Sequence, residues 1–257
     1  MRARKRFGQN FLTDRHSIDR IISAINPRKT DHIIEVGPGH GALTSALIES
    51  GCDLTVIEID RDLAAELRMF HPRLRIVEAD VLKVDFDEIT AGTPHRIVGN
   101  LPYNISTPLL FKLFGHAALI SDMYFMLQLE VVERMVATPS AKDYGRLSVM
   151  TQYHSTPQLL FTVPPAAFSP RPKVTSAIVR LASANTVPPA LDTTILESLV
   201  TAAFSQRRKT IRNALKTWLS EAELTSLQLD PSLRPENLSL ADFVACANLA
   251  TTRGRNA

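Results

Sequence analysis

The sequence predicts a doubly wound α/β sheet of seven strands, with an antiparallel pair at one edge and a small all-helical domain behind it. Three observations carry that expectation. Five short, near-continuous apolar runs alternate with helical patterns through the first two-thirds of the chain, as buried parallel strands joined by right-handed crossovers require. Two further strand-like runs then follow with no helix between them, which suits an antiparallel edge pair. Past a linker holding two prolines the pattern is helical to the end.

The strands are expected at residues 33–36 (IIEV), 54–59 (LTVIEI), 74–78 (LRIVE), 96–99 (RIVG) and 123–127 (MYFML). The glycines at 37–41 and a helical stretch to about Ser50 follow the first. A helix rich in Ala, Leu and Glu begins at Arg61 after the second. The pattern changes after about Tyr153: residues 158–163 and 173–181 form the expected edge pair, and 182–189 (ASANTVPP) read as the linker. Beyond it Val200, Phe204, Ile211, Leu215 and Trp218 fall on one helical face. Two domains follow, 1–184 and 185–257.

The chain has 257 residues, 45% hydrophobic and 21% charged, enough to bury a core without disulfides or metals. Cys52 and Cys246 lack the spacing of a zinc site or redox pair, so no metal is expected. No stretch approaches the ~18 apolar residues of a membrane span, and the basic N-terminus has no apolar signal core behind it. A soluble cytoplasmic protein, monomeric and without a membrane partner, is the expectation. The formal net charge is only +3, but positive residues concentrate at 2–6 and 207–216.

Ligands of open α/β sheets bind at the carboxyl ends of the strands, so the informative residues are those that follow each strand. Gly37-Pro38-Gly39-His40-Gly41 after the first has the form G-x-G-x-G rather than the dinucleotide pattern. That favours a nucleoside cofactor without a pyrophosphate, although a plain tight turn would look the same. The second strand ends Glu58-Ile59-Asp60, where a carboxylate would meet ribose hydroxyls. Glu58 and Asp60 share a face, and spacing does not choose between them; one could cap the next helix. Asp80 ends the third strand and suits an adenine amino group, with helix capping as the alternative.

Gly99-Asn100-Leu101-Pro102-Tyr103 follows the fourth strand. It could be a simple turn. Its chemistry makes a sharper proposal. The exocyclic amine of adenine is a poor nucleophile because its lone pair is delocalised into the ring. The Asn100 side-chain carbonyl and the Leu101 backbone carbonyl, both accepting from that NH2, would draw the nitrogen toward a reactive tetrahedral geometry. Pro102 favours extended backbone at Leu101, and Tyr103 offers a stacking face worth ~1–3 kcal/mol. Phe168 is a candidate second wall, or a core aromatic beside Pro164 and Pro165. The reaction is then methylation of an adenine amine with S-adenosylmethionine, in which alignment supplies much of the rate.

Residues 4–12 (RKRFGQNFL), the glycine segment, 100–108 (NLPYNISTP), 167–181 (AFSPRPKVTSAIVRL) and 204–215 (FSQRRKTIRNAL) together resemble the bacterial small-subunit ribosomal RNA adenine dimethyltransferases. The resemblance covers nearly the whole chain. It implies a Rossmann-like class I methyltransferase sheet and N6,N6-dimethylation of two adjacent adenines in the 3′-terminal hairpin loop of 16S rRNA, in the maturing small subunit. It also implies cofactor contacts at Asn10, Leu12, Gly37, Glu58, Asp80 and Asn100, with Gly39 in the same loop, and so selects Glu58 over Asp60. Tyr103 and Phe168 become the base-stacking pair. Arg171 stands where such proteins often carry proline.

Arg207, Arg208, Lys209, Arg212 and Lys216 form a basic stretch with no acid among them, and 208, 212 and 216 have helical spacing. A solvated face would look alike, but the resemblance favours phosphate contact. Three rivals are a 23S rRNA dimethyltransferase of the macrolide-resistance type, a DNA adenine methyltransferase, and a ribosome assembly factor without catalysis. The 167–181 segment, the absence of a separate target-recognition region and the intact Asn100-Leu101-Pro102-Tyr103 argue against each in turn.

Overall fold

The structure is a computed structural model, which describes residues 10–102, 105–183 and 188–255. The chain divides into two compact units, the first of residues 1–132 and 158–183, the second of 133–157 and 184–257. A single boundary near residue 184 is expected from sequence. The structure has a crossing there and an earlier excursion at 133–157, whose helical pattern resembles that of the preceding crossovers.

In chain order the first unit contains β1 (Phe11–Leu12), α1 (Arg15–Ile25), β2 (His32–Val36), α2 (Thr44–Glu49), β3 (Asp53–Glu58), α3 (Arg61–Phe70) and β4 (Arg75–Glu78). Next come α4 (Phe86–Thr90), β5 (His95–Asn100), α5 (Ser106–Phe114) and β6 (Ile120–Gln128). Helix α6 (Leu129–Val136) leads into the second unit and α7 (Arg146–His154), and β7 (Ser155–Val163) returns. The unit closes with β8 (Phe168–Ser169) and β9 (Ser176–Ser183).

The seven-stranded sheet has the order β4-β3-β2-β5-β6-β9-β7. Strands β4 through β6 are parallel, and β9 runs antiparallel to β6. The order reverses between β2 and β5, the switch point at which such sheets open a crevice. Apolar residues on both faces explain the continuous runs: Ile33, Ile34, Val56, Ile97, Val98 and Phe125 are fully buried. Each such side chain contributes roughly 1.5–3 kcal/mol on leaving water.

Gly99 permits a close approach in the sheet centre. It pairs with Val36, and a Cβ there would lie 2.6 Å from the Val36 carbonyl oxygen. With no side chain in the way, the ends of β2 and β5 run side by side, and the loops after them open together. Three of these helices begin on acidic caps: Asp14 accepts from the Ser17 N–H at α1, Asp60 from Asp62 at α3 and Asp85 from Asp87 at α4.

The second unit packs α7, α8 (Thr193–Ser205), α9 (Ile211–Ala214), α10 (Glu221–Ser226) and α11 (Leu240–Arg255). Its core centres on Tyr144, fully buried, whose hydroxyl donates to the Leu238 carbonyl at 2.9 Å, with Phe204 beside it and Phe243 against Phe204. The helical face expected over 200–218 is not continuous, because α8 ends at Ser205 and α9 is a single turn. Val200, Ile211 and Leu215 are nevertheless buried, carried inward by separate elements. Among the described residues no helix is long and apolar enough to cross a membrane.

Candidate active site

The residues after β2, β3, β4 and β5 line one cavity of about 240 Å3, together with Asn10, Phe11, Leu12 and Phe168. Gly37 and Gly39 take left-handed φ values of 65° and 59°, which favour glycine in that loop. A Cβ on Gly39 would lie 3.0 Å from the Phe11 ring, so the loop and the N-terminal strand are packed to backbone distance. The Phe11 ring in turn meets His40, centroids 4.4 Å apart, and His40 Nδ1 is 3.0 Å from Glu66 Oε1.

Strand β1 pairs antiparallel with β8, Leu12 opposite Phe168. The Ala167 carbonyl accepts from the backbone N–H groups of Thr13 and Asp14 and from the Thr13 hydroxyl. This two-stranded ribbon brings Asn10, Leu12 and Phe168 to the cavity from opposite ends of the sequence. Two-residue strands carry no periodic signal, so neither the ribbon nor the place of Phe11 and His40 is legible without the structure.

The two carboxylates that spacing leaves equivalent differ in use. Glu58, 4% exposed, lines the cavity; its Oε1 accepts from the Asp60 N–H at 2.8 Å and its Oε2 from the Gly39 N–H at 3.3 Å. Burial raises its pKa in spite of those two donors. Asp60 turns to the helix and caps α3. Asp80 Oδ1 accepts from the Leu82 N–H at 3.0 Å, which holds its carboxylate at the cavity edge above a turn and not an α-helix.

Glu35 is a further cavity residue that sequence reading passes over, because it lies inside the apolar run of β2. It is 2% exposed, and the Thr44 hydroxyl donates to its Oε2 at 2.7 Å. Burial, helped by the nearby Glu58 charge, pushes its pKa up to about 7. A charged residue type within a buried strand is the signal that could have found it.

At the end of β5 the Asn100 side-chain amide donates to the Asn10 carbonyl at 3.0 Å. With its NH2 turned to the backbone, the side-chain carbonyl is the group left to accept. Leu101 is buried, its N–H bonded to the Met126 carbonyl at 3.3 Å, and Pro102 lines the cavity. Tyr103 lies outside the described residues. Phe168 satisfies both of its candidate readings, since it lines the cavity and is also packed in the core at 5% exposure.

A family model described as ribosomal RNA adenine dimethylase matches residues 1–252. The chain belongs to this family. Curated relatives named ribosomal RNA small subunit methyltransferase A include one from Tolumonas auensis, 53% identical over 98% of this chain and 96% of its own length. Another, from Aromatoleum aromaticum, is 55% identical over 100% and 97%. Among solved structures, a dimethyladenosine transferase from Plasmodium falciparum superposes with a TM-score of 0.80 at 25% identity, covering 95% of this chain and 98% of that one. The 23S rRNA methyltransferase ErmE gives 0.71 at 29% identity, covering 93% and 98%.

In the second unit Arg207, Arg208, Lys209, Arg212 and Lys216 are all exposed, but they do not share a helix face. Arg208 lies in a turn before the four-residue α9 and Lys216 in a turn after it, because Thr210 restarts the chain in extended backbone. Arg207 is partly committed: its Nε donates to Glu236 at 2.6 Å and its Nη2 to the Lys142 carbonyl at 2.6 Å. Arg212 has a looser contact to Glu221 at 3.8 Å.

Proposed function

We propose that this dimethylase transfers methyl groups from S-adenosylmethionine to the N6 amines of two adjacent adenosines in the 3′-terminal hairpin loop of 16S rRNA, acting as a cytoplasmic monomer on the immature small ribosomal subunit. The observation that carries the chemistry is the Asn100–Asn10 hydrogen bond, which orients the Asn100 carbonyl as an acceptor in the same cavity as Glu58 and Asp80.

The residues present fit that cofactor. Glu58 would take the ribose hydroxyls: the Gly39 and Asp60 N–H donors leave carboxylate lone pairs free, and a buried carboxylate gains from added donors. Asp80 would accept from the adenine amino group with the oxygen not held by Leu82. Gly37 and Gly39 keep the wall low enough for close approach, and Asn10 and Leu12 close the opposite side. Bound there, S-adenosylmethionine supplies a methyl group made electrophilic by its sulfonium.

The chain's own task is to bind and orient the target amine. Asn100 and the Leu101 carbonyl would accept its two hydrogens, which would localise the nitrogen lone pair and orient it for attack. Tyr103 and Phe168 stack on the base once it has left its own strand, at a cost of a few kcal/mol of unstacking. The exposed cations of 208–216 contact RNA phosphates. Relatives named for the small subunit at 53% and 55% identity support the small-subunit target over the 23S target of ErmE. The test is methyl transfer from labelled cofactor to unmethylated small subunits, with the modified bases mapped. Label at two adjacent adenosines of the 3′-terminal hairpin is expected; label in 23S rRNA refutes the assignment.

A further inference from the structure

Lys112 lies on α5, the helix that starts just after the Asn100 to Pro102 segment. Its ammonium leaves that helix to donate to the carbonyls of Leu82 and Val84, at 2.9 and 2.5 Å, thirty and twenty-eight residues back in the chain. The same nitrogen is 5.6 Å from the centroid of the Phe86 ring. No ion pair to Lys112 occurs among the described residues, so its charge is directed at backbone oxygens.

Those oxygens belong to the turn that carries Asp80. Leu82 N–H is bonded to Asp80 Oδ1, Lys83 N–H to the Asp80 carbonyl, and Leu82 itself lines the cavity. Fixing the Leu82 and Val84 carbonyls therefore fixes the plane of the turn and the direction of the Asp80 carboxylate. Hydrogen bonds from a charged donor are about twice as strong as neutral ones, and two of them converge on a three-residue stretch.

We infer that Lys112 is a positioning residue for the cofactor: it clamps the 80–84 turn from α5, so that Asp80 meets the adenine amino group. This rests on the reading of Asp80 given above. The clamp links the wall that would hold the cofactor's base to the element that follows Asn100.

The test measures binding of S-adenosylhomocysteine, and of its analogue in which the adenine 6-amino group is replaced by hydrogen, to the full chain, to Lys112→Met and to Lys112→Gln. The parent should prefer the amino compound. Lys112→Met should bind it about tenfold more weakly, the loss of roughly one charge-assisted bond, yet bind the deamino analogue as the parent does. Lys112→Gln, which keeps one neutral donor, should fall between. At saturating S-adenosylmethionine kcat should stay within about twofold while KM for the cofactor rises. Equal loss for both ligands would mean general loosening and overturns the inference. Undiminished preference for the amino compound in Lys112→Met overturns it while leaving Asp80's role intact. A parent without any preference removes that role and the clamp together.

Discussion

The side-chain amide of Asn100, at the end of β5, donates to the backbone carbonyl of Asn10, ninety residues earlier in the chain. An asparagine can present either its oxygen or its nitrogen to a ligand, and this bond decides which. The N-terminal segment therefore orients the Asn100 side chain as well as lining the cavity. The β1–β8 pairing places Phe168 through the same segment.

Gly99 is the structural requirement behind that arrangement. Gly99→Ala would place a Cβ 2.6 Å from the Val36 carbonyl oxygen, and both partners are central strands that do not yield cheaply. Destabilisation of about 2–3 kcal/mol is expected in denaturant unfolding, with loss of cofactor binding as the β2 and β5 ends separate. Gly145→Ala, where a Cβ meets nothing within 4 Å, should avoid that steric penalty.

Glu35 predicts a pH dependence. Its folded pKa is raised from 4.5 to about 7, so the folded state holds a proton that the unfolded state releases. Its contribution is fully present below about pH 4.5 and is lost as pH rises through about 7. Over that window the parent should lose ~3 kcal/mol more than Glu35→Gln, read from denaturant midpoints at each pH. Parallel pH profiles for the two proteins would refute the assignment.

The basic stretch predicts a division of labour. Arg208, Lys209, Arg212 and Lys216 are exposed, and replacing any one by Ala should weaken RNA binding and reduce the salt slope by roughly one. Arg207 is bonded to Glu236 and to the Lys142 carbonyl, so Arg207→Ala should change the salt slope less and the thermal stability more. Filter binding across a salt series, paired with melting curves, separates the two effects.

The order of strands and helices was legible because long buried strands and amphipathic helices carry periodicity in the residues themselves. The glycine loop, Asp80, Asn100 and the Glu58/Asp60 pair were legible because each lies at or just past the carboxyl end of a strand, although spacing alone left Glu58 and Asp60 equivalent. Other features depend on contacts between distant residues. Phe11, Leu12 and Phe168 meet through a two-residue ribbon, and Lys112 reaches a turn thirty residues earlier. Residues 133–157 join the second unit although their helical pattern matches a crossover. The basic stretch misled in the opposite way, since helical spacing in sequence was broken by Thr210 in extended backbone.

The central claim is that the Asn100 carbonyl activates the adenine amine. Single-turnover methyl transfer to unmethylated small subunits, at saturating cofactor, tests it in Asn100→Ala. Removing one preorganised polar group of this kind costs about 10²–10³ in rate, and a loss of that size is predicted with affinity for S-adenosylhomocysteine within about tenfold of the parent. A rate close to the parent's, with the same two adenosines dimethylated, would contradict the account.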